Sequence, residues 1–214
     1  MPGSRVVIFD DGSTDSSYSD LAETVEDTYD LNITYVKWAN NVGLCSAFQV
    51  AFRGLEAEWS ATGIKEAEHF LSYVQDDVTF NYPNWLELCE KKYKEAVEYR
   101  RIGFISGHTA PEHAETDVPC PVDGCRFRTW IRATHMMAPV CYWKSMLPIP
   151  ELAPDGMRRG HPSPNRGSGF DWHFVRDHEL SVERTGRTNL IVEGLCTHIG
   201  DTERCSGGEP TPEL

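Results

Sequence analysis

Nowhere in the 214 residues does an apolar run approach the roughly 20 consecutive residues that span a bilayer, so no transmembrane segment is expected. No basic start followed by an apolar core opens the chain, which predicts no secretory signal. Positive charge is scarce: 20 Lys and Arg stand against 33 Asp and Glu, a net charge of −13. That balance argues against a nucleic-acid backbone or an anionic membrane surface as the main partner. Cysteine is scattered and odd in number, at seven, which suits free thiols in a reducing compartment and predicts a cytoplasmic location. Cys120 and Cys125 bracket Pro121–Gly124 like half a zinc site, but no second close Cys or His pair follows. A glycine-rich phosphate loop is missing near the N-terminus, which counts against a sugar-phosphate nucleotidyltransferase. No internal repeat is present.

What remains is an ordinary globular composition, 40% hydrophobic and 25% charged, long enough for one domain with a sizeable core. Its first half alternates strand and helix patterns. Arg5 to Phe9 is apolar on both faces, as in a buried parallel strand, and runs into Asp10, Asp11 and Gly12. Asp15 is a good N-cap for a helix carrying Tyr18, Leu21, Ala22 and Val25. Ile33 to Trp38 is a second strand, and Leu44, Ala47, Phe48, Ala51 and Leu55 recur as one helix face. Phe70 to Val74 is a third strand, ending in Gln75-Asp76-Asp77, and Pro83 opens a helix with Trp85, Leu88, Cys89, Tyr93, Ala96 and Val97 as its stripe. The succession β-α-β-α-β-α predicts an α/β fold with a mostly parallel central sheet flanked by helices. The second half is less regular. Strands are expected over Ile102–Ser106, Phe127–Thr134 and Asn189–Val192, a helix from Phe170, and a Pro- and Gly-rich loop over 148–169 poised above a site.

Two acid pairs end strands, Asp10-Asp11 and Asp76-Asp77. In open α/β sheets ligands lie beyond the carboxyl ends of strands. Adjacent carboxylates repel one another there unless a cation sits beside them, and a divalent metal holding a phosphate answers that need. A solvated acidic turn is the plain alternative. For Asp10-Asp11, a dehalogenase-type phosphatase would need a carboxylate at position 12, which is glycine. A response-regulator receiver would be a much shorter domain. Nucleotide binding remains, with the carboxylates accepting from a base N–H and ribose hydroxyls.

Val7-Ile8-Phe9-Asp10-Asp11-Gly12-Ser13-Thr14-Asp15 resembles the nucleotide-binding segment of family 2 glycosyltransferases of the GT-A fold. Asn41-Val42-Gly43 ahead of a helix, Gln75-Asp76-Asp77, Gly169-Phe170-Asp171 and His198-Ile199-Gly200 resemble, in the right order, that family's next segment, its DXD metal motif, its ED motif and its late histidine. The resemblance runs from about residue 6 to about residue 203. It implies a single Rossmann-like GT-A domain, with residues 1–100 as nucleotide-binding half and 101–205 as acceptor-binding half; residues 206–214, polar with two prolines, read as a frayed tail. It implies metal-dependent sugar transfer from a nucleotide-diphosphate sugar, a UDP-sugar first among them, to a hydroxyl of a glycan or glycoprotein acceptor. Asp10, Asp11, Gly12, Ser13, Asn41, Gly43, Gln75 and Asp76 would bind the nucleotide. Asp77 and His198 would hold Mn²⁺, with Mg²⁺ as the alternative, and Asp171 would be the base. Residues 151–168 would be the lid, with Arg158, Arg159 and Arg166 either on the surface or closing over the diphosphate. Two departures stand out: the family carries one more strand ahead of the first acidic segment, and Phe170 occupies the place of its Glu. Outside this class, a non-catalytic nucleotide- or glycan-binding module of the same fold is the competing expectation.

Overall fold

The computed structural model describes residues 5–14, 32–63, 65–66, 68–107, 117–154, 156, 159 and 170–199. The expected helix over Tyr18–Val25 and the tail over 206–214 lie outside them. By its internal contacts the chain forms two compact units, Met1–Gly63 with Pro148–Ser168 and Ile64–Leu147 with Gly169–Leu214. In the first unit, β1 (Arg5–Asp10) pairs in parallel with β2 (Asn32–Lys37), Arg5 opposite Asn32 and Asp10 opposite Lys37. Phe9 packs on Trp38 at 5.6 Å. Helix α1 (Leu44–Thr62) buries Cys45, Ala47, Phe48 and Phe52, an i, i+3, i+4 stripe, and stops at Gly63, whose φ of 72° is the left-handed conformation that glycine tolerates best. Gln49 fastens this helix to the segment after Pro148: its amide donates to the Ile149 carbonyl and accepts from the Ile149 N–H.

The second unit is built on six strands, in the order β3 (Phe70–Val74), β8 (His135–Pro139), β5 (Ile102–Ser106), β9 (Thr188–Val192), β7 (Cys125–Arg128) and β6 (Val118–Pro119). The fold is α/β, but the expectation of a mostly parallel sheet is corrected. Only the β5–β9 pairing is parallel; the other four are antiparallel. The reason is partner choice. Helical spacing between strands foretells a crossover, and crossovers favour parallel neighbours. Here β3 takes as its neighbour β8, a strand 61 residues later that runs the other way, and no local pattern in Phe70–Val74 encodes that choice. The expected strand Phe127–Thr134 is correspondingly shorter, ending at Arg128.

Helix α2 (Trp85–Ala96) buries Cys89 and Ala96 against Ile102, Ile105, Phe127, Met137, Leu190 and Val192. A second cluster is aromatic. Phe104 meets Trp143 of α3 (Val140–Ser145) at 4.8 Å and Phe174 at 5.5 Å, and the Trp143 indole N–H donates to the Leu71 carbonyl. Each such ring contributes about 1.5–3 kcal/mol by leaving water. A short α-turn, α4 (Phe170–Trp172), continues into a π-helical turn, His173–Asp177, and after α5 (Val182–Thr185) the chain enters β9. Finally β10 (Cys196–His198) pairs antiparallel with β4 (Val78–Phe80) in a separate two-stranded ladder. No helix among the described residues is long and apolar enough to cross a membrane.

Candidate functional site

The acidic turn of the first unit is a small, densely bonded loop. Alternate residues of a strand share a face, and the register β1–β2 puts Tyr35 and Lys37 beside Asp10. Asp10 is buried and takes the Tyr35 hydroxyl at 2.5 Å and the Ser13 N–H at 2.7 Å, with Lys37 Nζ at 3.5 Å. The Tyr35 hydroxyl first, then the Ser13 N–H, hold its carboxyl down at about 2. Asp11 reaches the other way. Its two oxygens accept from the N–H groups of Val42 and Gly43 at 2.7 and 2.9 Å, just ahead of α1. Gly43 N–H is shared with the Asn41 side-chain oxygen at 3.1 Å. Gly12 has φ 86°, and a Cβ there would sit 2.5 Å from Asn41 N and 2.6 Å from the Asn40 carbonyl carbon. Asp10, Asp11, Gly12, Ser13, Asn41 and Gly43 are thus brought together. A carboxylate has about four lone-pair sites. Among the described residues, buried Asp10 is engaged by Tyr35, Ser13 and Lys37, whereas part-exposed Asp11 is engaged by the N–H groups of Val42 and Gly43.

In the second unit the structure joins residues 121 positions apart. The β4–β10 register sets His198 opposite Val78, and the Ile199 N–H donates to the Asp77 carbonyl, extending the ladder by one bond. Asn81 closes the far end, donating to the Gly194 carbonyl from its side chain and to the Leu195 carbonyl from its backbone. This places His198 Nε2 2.8 Å from Asp77 Oδ2. Asp77 Oδ1 is covered and has no hydrogen-bond partner among the described residues. A covered, unsatisfied carboxylate oxygen is costly unless something positive meets it. Among the described residues no group of three or more His, Cys, Asp and Glu is arranged to hold a metal, at Cys120 and Cys125 or elsewhere. Two protein donors nevertheless fit a cation of the Mg²⁺ or Mn²⁺ kind, which takes one or two carboxylates and fills its shell with substrate phosphate and water. Of the neighbouring residues, Asp76 is exposed, and Gln75 is tied down through its backbone N–H to the Thr134 carbonyl.

Asp171 lies part-exposed in the middle of α4. The residue before it, Phe170, is buried and packs at 5.1 Å on both Tyr73 and Phe174, so the helix is pinned to β3 two residues before Gln75. His173 is buried and meets the Met146 carbonyl at 2.7 Å, a packing role. Arg159 is buried, and its N–H donates to the Glu151 carbonyl. Arg158, Arg166, Gly169, Gly200 and most of the expected lid lie outside the described residues. Sequence reading assigned nothing to His135. It is fully buried on β8, accepts the Gly107 N–H at 3.1 Å on Nδ1, and stands edge-on to the stacked rings of Phe80 and Trp85. Burial pushes its pKa down to about 3, so the ring is neutral. The one signal in the sequence was its position directly ahead of the apolar run Met136–Val140.

Comparison with family models, with curated proteins and with solved structures returns no match.

Proposed function

We propose that this chain transfers a sugar from a nucleotide-diphosphate donor, a UDP-sugar first among them, to a hydroxyl of a glycan or glycoprotein acceptor, with a divalent cation. The observation that carries the reading is the Asp77–His198 pair, a carboxylate and an imidazole 2.8 Å apart with a second carboxylate oxygen left unsatisfied. These two residues would hold Mn²⁺ or Mg²⁺. When bound, the cation supplies positive charge against the charge that builds on a leaving diphosphate. Asp171 accepts the proton of the acceptor hydroxyl, the task of a general base. Phe170, where the resembled family has Glu, is a hydrophobic anchor that fixes the helix carrying that base. Taken by itself, the acidic turn of the first unit offers Asp11, which among the described residues is held by two backbone N–H groups alone, as the candidate nucleoside acceptor, and Asp10 keeps the turn in shape. A single base working on the far side of the leaving group inverts the anomeric carbon.

Titration calorimetry tests this directly. UDP should bind the intact chain with Mn²⁺ and at least tenfold more weakly in chelator. Asp77→Asn and His198→Asn should each remove most of that difference while circular dichroism stays unchanged. Equal affinity in chelator and in Mn²⁺ overturns the metal assignment. UDP binding with no release of UDP from a UDP-sugar, with or without acceptor, would leave a non-catalytic binding module as the function.

A further inference from the structure

We infer that Cys120 and Cys125 are a reversible thiol–disulfide pair: an oxidant of the glutathione-disulfide class joins them across the β6–β7 hairpin, and thiol reductants release them. The inference is independent of the glycosyl-transfer reading. The β6–β7 ladder sets Val118 opposite Phe127 and Pro119 opposite Arg126. Continuing that register by one residue sets Cys120 opposite Cys125. The hairpin closes there, since the Cys125 N–H donates to the Val122 carbonyl at 3.2 Å across a turn in which Gly124 has φ 64°. Directly opposed residues of an antiparallel pair have Cα atoms about 4.5–5.5 Å apart and send their side chains to one face. Disulfides form at Cα separations of about 4.4–6.8 Å. Both cysteines are free thiols in this structure.

The surroundings single this pair out. Cys45, Cys89 and Cys196 are buried, and burial keeps them protonated, their thiols pushed up to about 11, 12 and 11. Cys120 is part-exposed near the tip of the hairpin. Lys92 of α2 reaches over that tip, its Nζ donating to the Asp123 carbonyl at 2.7 Å, and the Arg100 guanidinium lies 5.2 Å over the ring of Phe127, two residues along β7 from Cys125. Burial raises the Cys120 thiol, while the Val122 N–H, Lys92 and Arg100 favour its thiolate. Partial exposure beside cations is the setting of reactive thiols. Cys125 is buried and pushed up to about 12, so it follows rather than leads.

The order of the steps follows from that difference. The Cys120 thiolate attacks one sulfur of glutathione disulfide, forms a mixed disulfide and expels one glutathione thiolate. Cys125 then loses its proton to solvent, and its thiolate attacks the Cys120 sulfur. The mixed disulfide breaks, and the second glutathione leaves as thiolate. Two protein thiols are oxidised to one disulfide while one glutathione disulfide is reduced to two thiols. The second step is intramolecular, so the opposed position of Cys125 offsets its small thiolate fraction. The product ties β6, the outermost strand of its sheet, to β7 by a covalent bond where only two residue pairs form the ladder. Disulfides of reducing compartments are of this transient, redox-sensing kind.

The test exposes the full chain, under native conditions, to excess glutathione disulfide, alkylates the thiols that remain, and weighs the tryptic peptides. Residues 102–126 form one such peptide and carry both cysteines. This peptide should lose both alkylation sites about tenfold faster than the peptides of Cys45, Cys89 and Cys196 lose theirs. Its mass should fall by the two thiol hydrogens, and a cut ahead of Asp123 should leave the halves joined until dithiothreitol is added. Cys125→Ser should instead accumulate the mixed disulfide on Cys120, and Cys120→Ser should slow the loss of the Cys125 thiol about tenfold. Phenylarsine oxide, which bridges two adjacent thiols, should protect the same two cysteines of the parent chain from alkylation, so the proposal stays testable if either variant fails to fold. Four results each overturn it: both thiols still open to alkylation after exposed Cys141 is fully modified, a bridge from Cys120 or Cys125 to any other cysteine, a bridge that forms only in urea, or no protection by the arsenical.

Discussion

His135 shows how one side chain is defined by what surrounds it. Imidazole in water titrates near pH 6.5, but packed between Phe80, Trp85 and the Gly107 amide it stays neutral down to about pH 3. The sign follows from linkage. Between about pH 6.5 and 3 the unfolded chain binds a proton that the folded chain refuses. The stability contributed by the neutral ring is therefore full above pH 6.5 and is lost progressively as pH falls toward 3. His135→Asn keeps an acceptor for the Gly107 N–H and removes the titration. It should be less stable than the parent at pH 7, and the gap should shrink as pH falls from 6.5 toward 4. Urea melts at a series of pH values read this, and a gap that stays constant would show the ring titrating normally in the fold.

Among the elements, the junction of β1 and α1 is held by side-chain chemistry rather than by packing. Helix α1 begins at Gly43 with no side-chain cap of its own, and the Asp11 carboxylate, 32 residues earlier, takes the two N–H groups ahead of its first turn. A carboxylate at that end also opposes the positive pole of the helix. Asp11→Ala should cost about 1–2 kcal/mol in chemical denaturation, the weight of a lost N-terminal cap. Gly12→Ala should cost at least as much, since a Cβ would meet the backbone of Asn40 and Asn41 and would be held at positive φ. Asp11→Asn, with one acceptor oxygen in place of two, should fall between parent and Asp11→Ala. Unchanged stability in both Asp11→Ala and Gly12→Ala would remove the clasp from the account of the fold.

Across the whole molecule the dominant electrostatic fact is the net charge of −13. Many of its ion pairs are exposed and local, such as Lys65–Glu68, Lys91–Glu95 and Lys94–Glu90, and each contributes at most about 0.5 kcal/mol. The pairing of Asp117 with Arg126 and buried Arg128 is an exception, a fork that ties β7 to the residue preceding β6. Self-repulsion of the excess negative charge is expected to outweigh the exposed pairs. Raising ionic strength from about 0.01 to 0.15 M, which shortens the screening length from roughly 30 to 8 Å, should raise Tm. A Tm that falls with salt would mean that the ion pairs outweigh the repulsion.

The sequence by itself determined several of the elements and the local chemistry at their ends. Apolar β-branched runs bounded by Asp, Gly and Pro placed β1, β2, β3 and β5, and 3.6-residue stripes placed α1 and α2, because these signals live within a few residues of chain. It also marked Asp10, Asp11, Asp77, Asp171 and His198 as residues in search of a partner. Which partner each one has was decided only in three dimensions. Strand pairing is a long-range choice, so the antiparallel company of β3 had no local signature, nor did the β4–β10 ladder that carries His198 to Asp77. The same holds for Trp130, Trp143 and Trp172, alike in sequence. One is buried and two pack edge-to-face on each other, part-exposed, because burial is set by where the sheet and its helices leave room and not by the residue itself.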